Sequence, residues 1–337
     1  MTIDGKEIET DGAMTVYEAA CRLGTRIPTL CHREGVHPVG GCGLCTVEDT
    51  ASGRLLPACV TRAEPGMTIE TASAEALQAR RDALELLLSN HPADCEAPCQ
   101  LACPSGLPVP RLLEAVAAGR FDEATALARA YPFVCGGAAP CEKACRRKPL
   151  GGAVAICALH LWLAGASGEA GPRPALRRFR SRMAGLSKET LLSLCAETGD
   201  RRMGADASEV THESAVYEAA RCLQCGCRRP DDCRLRERCE EAGAKQATFA
   251  GGCGAVVRQR SAAGLRFDSS RCVLCGLCVR TGERLGASLA PAFHGRGFDA
   301  QIGPPLGRTW DDVPVEVQAA CAAACPTGAM AFSADRK

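Results

Sequence analysis

Short runs of alternating apolar and polar residues predict a small mixed domain over residues 1–72. Four runs with strand character, residues 1–3, 6–8, 45–47 and 67–69, surround one helical stretch at residues 16–23. Thr15 stands in the N-cap position of that helix, and Gly24 follows it where a left-handed residue ends a helix. Strands packed around a single helix indicate an α+β domain.

Helical periodicity dominates the next part of the chain, where Gly119 and the pair Gly151-Gly152 act as breaks. The helices expected from the pattern are residues 74–89, 110–118, 121–130, 153–163, 188–195 and 213–222. Beyond residue 266, cysteine-rich loops alternate with short helices. The fold class is therefore α+β multidomain, with five segments: 1–72, a helical domain at 73–165, a linker at 166–212, a cysteine-rich segment at 213–258 and a final module at 259–337.

Composition narrows the partners that this chain can have. The formal charge is +1 and aromatic residues are 4% of the chain, so neither a polyanion nor single-stranded nucleic acid is indicated as a partner. The longest apolar stretch, residues 153–164, is too short to cross a bilayer, and the N-terminus lacks the pattern of a secretory signal. With so many cysteines, a reducing compartment is expected, and we predict a cytoplasmic protein without membrane insertion.

The 24 cysteines fall in closely spaced groups, several of them Cys-x-x-Cys, and the last group ends in Cys325-Pro326. Thiolates so close together can surround one soft metal centre, whereas disulfides need no such grouping. The spacing points to iron–sulfur clusters more than to zinc. Cys21 lies within the predicted N-terminal helix and is expected to be a small buried apolar residue. Cys195 and Cys253 have no evident partner and are expected to be structural.

The first group, Cys31, Cys42, Cys45 and Cys59, suits a [2Fe–2S] centre, because glycines beside Cys42 let backbone N–H groups approach the sulfurs. A structural zinc site is the alternative. The stretch resembles the N-terminal ferredoxin domain of the large iron–sulfur subunit of respiratory complex I, which also occurs in iron-only hydrogenases and NAD-linked formate dehydrogenases. The resemblance implies a β-grasp [2Fe–2S] domain.

The second group runs from His91 through Cys103-Pro104 and on to His160. It resembles the helical domain of the glutamate synthase small subunit and of dihydropyrimidine dehydrogenase, which carries two [4Fe–4S] clusters. The resemblance implies two ligand sets, the second with Cys157 as the alternative to His160. The first set is His91, Cys95, Cys99 and Cys145, and the second is Cys103, Cys135, Cys141 and His160. No Gly-x-Gly-x-x-Gly follows a strand, so neither FAD nor NAD(P) is expected to bind this chain.

Two further groups follow toward the C-terminus. Cys222, Cys225, Cys227 and Cys233, with Cys239 as an alternative, are expected to hold a [4Fe–4S] cluster, and zinc remains a rival at this spacing. The segment shows a short resemblance to cysteine-rich parts of glutamate synthase-like oxidoreductases. The last group resembles the bacterial two-cluster ferredoxin module, which implies one [4Fe–4S] held by Cys272, Cys275, Cys278 and Cys325. Gly282 and Gln318 stand in the region of the second cluster, of which only Cys321 remains.

These expectations describe an electron-transfer subunit with one [2Fe–2S] and about four [4Fe–4S] clusters, at four ligands for each cluster. By resemblance, it would relay single electrons between a flavin-containing NAD(P)H-oxidoreductase subunit and another redox partner, in a formate dehydrogenase, a hydrogenase or an electron-bifurcating complex. We expect it to be non-catalytic. The alternatives are a truncated glutamate synthase-like enzyme, which would need the missing nucleotide-binding folds, and a zinc-binding scaffold or regulator.

Overall fold

The structure is a computed structural model that describes residues 1–165, 179–183, 189, 191–192, 198–204, 206–229, 231–249 and 256–332. The chain divides into two compact units. One unit, called the terminal unit, combines Met1–Pro92 with Asp231–Lys337, and the other, called the helical unit, is Ala93–Pro230. This division cuts across the five sequence segments, whose boundaries stay a prediction.

A five-stranded sheet with one helix forms the N-terminal part of the terminal unit. The strands follow the order β2-β1-β5-β3-β4, with β1 and β5 parallel and the other neighbours antiparallel. They are β1 Thr2–Ile3, β2 Lys6–Glu7, β3 Thr46–Asp49, β4 Arg54–Pro57 and β5 Thr68–Glu70, and the helix is α1 Val16–Arg22. Ile3, Val16, Val47 and Ile69 form the centre of the core between sheet and helix. The mixed α/β character of this domain is confirmed.

Helix α1 begins where the sequence predicts. The Thr15 hydroxyl accepts a hydrogen bond from the Glu18 N–H at 3.2 Å, and the Glu18 carboxylate accepts one from the Thr15 N–H at 2.7 Å. This reciprocal pair satisfies donors that the first turn of a helix leaves unpaired. The expectation for Cys21 was wrong: the side chain is exposed, because it lies on the face of α1 away from Val16, Ala19 and Ala20.

The described remainder of the terminal unit consists of helices, two short sheets and further helical turns. Its helices are α2 Ala74–Ser89, α9 Arg234–Ala242, α10 Leu277–Arg284 and α11 Val315–Ala324. Its strands are β6 Arg258–Arg260, β7 Leu265–Asp268 and β10 Met330–Phe332 in one antiparallel sheet, and β8 Ala292–His294 with β9 Gln301–Gly303 in another. Helices α10 and α11 pack against each other, and Trp310 is buried in the core beside Phe267.

The described part of the helical unit is built from short helices around an apolar core that contains Leu112, Val116, Leu159 and Ala215. These helices are α3 Pro98–Ala102, α4 Val109–Ala117, α5 Phe121–Ala130, α6 Pro140–Lys143, α7 Ile156–Ala164 and α8 His212–Ala219. Helix α4 packs on α5 and α8, and α5 packs on α7. The helix expected at 188–195, and with it Cys195, falls largely outside the described residues, as does Cys253.

Two helices of this unit are shorter at one end than the sequence predicts. Helix α7 begins at Ile156 rather than near residue 153, because the Ala155 N–H donates to the Glu218 carboxylate and the Ala153 carbonyl accepts from Arg221. Side-chain partners thus replace helical hydrogen bonds. Helix α8 ends at Ala219, which leaves Cys222 in the loop that follows. Nowhere in the described ranges is a helix both long and apolar enough to span a membrane.

Candidate iron–sulfur sites

The four cysteines of the first group come together in the terminal unit. Cys31, Cys42, Cys45 and Cys59 are all buried, and the Sγ atoms of Cys45 and Cys59 are 3.3 Å apart. Cys31 and Cys42 form a second pair joined by a hydrogen bond between their side chains. The loops that carry them leave little room, because a Cβ at Gly43 would lie 2.8 Å from that of Ala83.

In each of these two pairs one thiol loses its proton more easily than usual, while hydrogen bonding and burial raise the pKa of its partner, Cys31 or Cys45. The pKa of Cys42 is lowered to about 6, first by the hydrogen bond from Cys31 and then, against the effect of burial, by backbone N–H groups that include that of Leu44. The pKa of Cys59 is lowered to about 7, first by Cys45 and then by the Gly40 N–H. Iron is held by thiolates, and such backbone donors are the ones that iron–sulfur sites provide. The residues present therefore fit a cluster.

The last cysteine group also converges in the terminal unit. Cys278 interacts electrostatically with Cys272, Cys275 and Cys325, and burial raises the pKa of both Cys272 and Cys275 to about 12. Poorly solvated thiols such as Cys272, Cys275 and Cys278 lose their protons readily only when a positive centre is placed among them, as a cluster would be. The leftover Cys321 donates a hydrogen bond to the Cys278 carbonyl at 3.2 Å.

In the helical unit, four cysteines from three distant segments line one small cavity: Cys99, Cys145, Cys222 and Cys225. Burial raises the pKa of Cys99 well above its usual value, and Cys222, Cys225 and Cys145 add to the effect. Burial also raises the pKa of Cys222 to about 12. The structure thus brings Cys99 and Cys145 together, as expected, but next to Cys222 and Cys225, which the sequence assigned to another site.

A sequence signal for this grouping existed and was missed. Arg221-Cys222-x-x-Cys225-Gly226 and Arg271-Cys272-x-x-Cys275-Gly276 share one pattern. Gln224 and Leu274, at the same place in each, adopt left-handed backbone with φ of 50° and 51°. Each donates its N–H to the first cysteine's Sγ at 3.4 Å. The Cys222 turn therefore has the same local conformation as the turn at Cys272.

The second helical-unit site contains Cys135, Cys141 and Cys157. The Sγ atom of Cys157 lies 3.8 Å from that of Cys141 and 4.0 Å from that of Cys135. His160 points elsewhere, because its Nε2 is 3.1 Å from the Ala128 carbonyl oxygen and its ring packs on Phe133. Of the two alternatives for the last ligand, the structure places Cys157 beside the other cysteines and His160 away from them.

Cys103 is buried at the C-terminal end of α3, and its Sγ is 3.3 Å from the Ser105 hydroxyl. Because α3 packs against α6, the helix that carries Cys141, Cys103 belongs to the same region of the helical unit.

The expected ligands His91 and Cys95 lie in different units. His91 belongs to the terminal unit, where it is buried and its Nδ1 finds no hydrogen-bond partner among the described residues. Burial and then Arg271 lower its pKa to about 4. Cys95 belongs to the helical unit, where its Sγ accepts the Ser181 N–H at 3.3 Å and its carbonyl accepts the Cys227 N–H at 3.1 Å. The expected set of His91 with Cys95, Cys99 and Cys145 thus spans both units and stays a prediction.

The same division applies to the expected group at Cys222. Cys225 and Cys227 lie in the helical unit, whereas Cys233 and Cys239 are buried in the terminal unit. Within the part of the chain that the structure describes, no three Cys, His, Asp or Glu side chains are arranged to hold a single ion. A cluster is larger than one ion, so its ligands stand further apart.

Comparison with known proteins confirms the character of the N-terminal domain. Residues 1–74 match the family of the 2Fe-2S iron-sulfur cluster binding domain. The chain is 41% identical over 95 residues to a subunit of the NADH-quinone oxidoreductase of Rhizobium meliloti (strain 1021), and equally so to NADPH-Fe(3+) oxidoreductase subunit alpha of Geobacter sulfurreducens (strain DL-1 / KN400). In both cases the match covers 28% of this chain and spans only 11% of the relative's length.

A crystal structure of NAD+-reducing [NiFe]-hydrogenase in the H2-reduced state is similar over 99% of this chain and 87% of the other. The TM-score is 0.53 and the sequence identity 19%, so this likeness concerns the fold alone. The first 74 residues are therefore a [2Fe–2S] ferredoxin-type domain, similar to that of the NADH-quinone oxidoreductase relative. The resemblances to glutamate synthase and to the bacterial ferredoxin module stay predictions.

Proposed function

We propose that this chain is an iron–sulfur electron-transfer subunit of a multi-subunit NAD(P)H-linked oxidoreductase. The observation that carries the proposal is the presence of two four-cysteine sets in one unit, at Cys31 and at Cys272, of which the first lies in a [2Fe–2S] domain. Relatives of that domain are named as subunits of NADH-quinone and NADPH-Fe(3+) oxidoreductases. The proposed partner is accordingly a flavin-containing NAD(P)H-oxidoreductase subunit, with a further redox subunit as electron acceptor or donor.

We assign four ligand sets to clusters. Cys31, Cys42, Cys45 and Cys59 would hold the [2Fe–2S] centre. The [4Fe–4S] centres would be held by Cys272, Cys275, Cys278 and Cys325, by Cys99, Cys145, Cys222 and Cys225, and by Cys103, Cys135, Cys141 and Cys157. The set at Cys99 takes Cys222 and Cys225 in place of the expected His91 and Cys95. The set at Cys103 takes Cys157 in place of His160. A fifth centre stays a prediction of the sequence, and no ligand set is assigned to it.

The clusters, when bound, supply one-electron redox chemistry. The chain supplies the ligands, the hydrogen bonds to the sulfurs and the shielding from solvent. Backbone N–H groups donate to ligand sulfurs, at Cys42, Cys222 and Cys272 among others. Such donors stabilise the more negative, reduced form of a cluster, so they raise its potential. All four cysteines of the first set are buried, which would keep water from that centre. These properties suit a relay of single electrons and need no substrate pocket.

Anaerobic purification followed by iron, zinc and acid-labile sulfide analysis tests this function. We expect iron and sulfide in nearly equal amounts, and low-temperature EPR signals of one [2Fe–2S] centre and several [4Fe–4S] centres after reduction. Copurification with a flavoprotein and reduction of the clusters by NADH or NADPH in that complex would support the assignment of partners. Zinc without iron would reject the proposal in favour of a zinc-binding scaffold.

A further inference from the structure

Helix α10 carries a buried arginine that connects the two cysteine groups of the terminal unit. Arg280 lies two residues after Cys278, and only 9% of it is exposed. Its Nη2 donates hydrogen bonds to the carbonyl of Cys31 at 2.8 Å and to that of Cys275 at 2.9 Å. Its Nη1 donates to the His37 carbonyl at 2.6 Å. One guanidinium therefore holds the loop of the first group against the turn of the last.

The ligand sulfurs near this contact are close enough to interact. Cys42 and Cys275 influence each other electrostatically, and both line the same cavity, together with His37 and Arg280. Two carbonyls that share one donor nitrogen have a fixed separation, because a buried guanidinium has a rigid fork geometry. The proposed [2Fe–2S] and C-terminal [4Fe–4S] centres would then face each other across Arg280.

The positive charge of Arg280 also lies between the Cys31 loop and the Cys275 turn. All three of its hydrogen bonds go to carbonyl oxygens, and among the residues that the structure describes no carboxylate forms a salt bridge with it. A buried cation beside a cluster favours the extra electron of its reduced form, because opposite charges attract.

We propose that Arg280 is a positioning residue for electron transfer between these two centres. It fixes the distance between the Cys31 loop and the Cys275 turn, and its charge raises the potential of the nearer centre. The proposal rests on the proposed function, because it requires both clusters to be present. It concerns the path of the electron, and it holds whichever complex the chain belongs to.

The test compares Arg280→Gln and Arg280→Lys with the control Arg284→Gln in the full chain purified anaerobically. Arg284 lies one turn further along α10 and is exposed, so solvent screens its charge. The measurements are iron content, EPR-monitored midpoint potentials and the magnetic interaction between the two reduced centres. We expect Arg280→Gln to keep its iron, to lower the midpoint potential of at least one of the two centres and to weaken their magnetic interaction.

Arg280→Lys should keep the charge and hence most of the potential, but it should still weaken the magnetic interaction, since an ammonium cannot reproduce the fork. Potentials and interaction equal to those of Arg284→Gln in both Arg280 variants would overturn the proposal. If Arg280→Gln loses iron, the lysine variant decides by the same two measurements. A wild-type chain without the two EPR signals would instead reject the proposed function itself, so the two failures are distinguishable.

Discussion

Arg147 donates a hydrogen bond from Nη1 to the carbonyl oxygen of Arg221 at 3.1 Å. Arg147 follows Cys145 by two residues, and Arg221 directly precedes Cys222, so this bond joins the two backbone segments that bring those cysteines to one cavity. Arg147 is buried and also donates to the Gly199 carbonyl at 2.9 Å. As at Arg280, an arginine two residues after a cysteine fixes the backbone of a second cysteine segment.

The same segment is supported by a buried ion pair that should be essential for stability. Glu218 and Arg221 are each 1% exposed, and their Oε1 and Nη1 atoms are 2.6 Å apart. Glu218→Gln leaves the guanidinium buried without its counter-charge, and we expect it to reduce the free energy of unfolding by about 3 kcal/mol. Thermal and urea unfolding of the anaerobically purified protein, followed by circular dichroism, measure the loss.

Glu213→Gln is the matched control, because Glu213 lies on the same helix α8 and pairs with Arg201 on the surface. Exposed pairs contribute little, so we expect less than about 1 kcal/mol. Equal losses in the two variants would contradict a structural role for the buried pair.

Cys225→Ser should remove one [4Fe–4S] centre. The variant loses a ligand of the cavity formed with Cys99, Cys145 and Cys222, and we expect a decrease of roughly four iron atoms per chain. Cys21→Ser is the control, because Cys21 is exposed on α1, and it should keep the full iron content. Iron analysis and EPR make the comparison. If Cys225→Ser keeps all its iron, the assignment of this cavity is wrong.

Cys157→Ser and His160→Gln separate the two alternatives for the second site of the helical unit. Cys157 lies next to the Sγ atom of Cys141, so its loss should remove or convert that cluster and change the EPR spectrum. His160→Gln should leave the spectrum unchanged and cost about 1 kcal/mol of stability, the contribution of one buried hydrogen bond to the Ala128 carbonyl. The reverse pattern would restore His160 as the ligand.

Asp268 makes the stability of the terminal unit depend on pH. Burial alone would raise the pKa of this carboxyl group, but Arg271 at 2.8 Å and Arg258 at 3.0 Å outweigh it and lower the pKa below its usual value. The ionised form therefore stabilises the fold above the unfolded pKa of about 3.9, and this stabilisation is lost as the pH falls through the folded value.

The difference in unfolding free energy between wild type and Asp268→Asn should then be constant from about pH 8 to about pH 5 and should decrease at lower pH. Unfolding of both proteins over this range measures it. A difference that grows on acidification would contradict this account of Asp268.

Local structure was the predictable part of this chain. Helix α1 follows from Thr15 and its capping box, and residues 74–89 and 121–130 form α2 and α5 as predicted. Strand β4, with Leu55 and Leu56 only partly buried or exposed, has no clear alternation and was missed. Caps and periodicity depend on residues a few positions apart, so sequence reasoning can recognise them.

The grouping of the cysteines was predictable only where the ligands follow one another closely. Cys272, Cys275 and Cys278 are such a run, and so are Cys42 and Cys45. The convergence of Cys99 with Cys225 depends on how α3, α4 and α8 pack, and on the link from Arg147 to Arg221. Contacts between residues so far apart in the chain leave no periodic pattern in the sequence. The repeated Arg-Cys-x-x-Cys-Gly pattern was nevertheless a usable signal.

The terminal unit is formed from two stretches of the chain that are far apart in sequence, and this affects how it is made on the ribosome. The loop of Cys31 is made early by the ribosome, but the carbonyl of Cys31 finds its donor only when Arg280 has been translated, after the whole helical unit. The cavity at Cys99 likewise waits for Cys225. The four cysteines of the first set are all translated by residue 59, whereas the set at Cys272 is complete only with Cys325. The proposed sites therefore become complete one after another during synthesis, and the contact that joins the first to the last forms late.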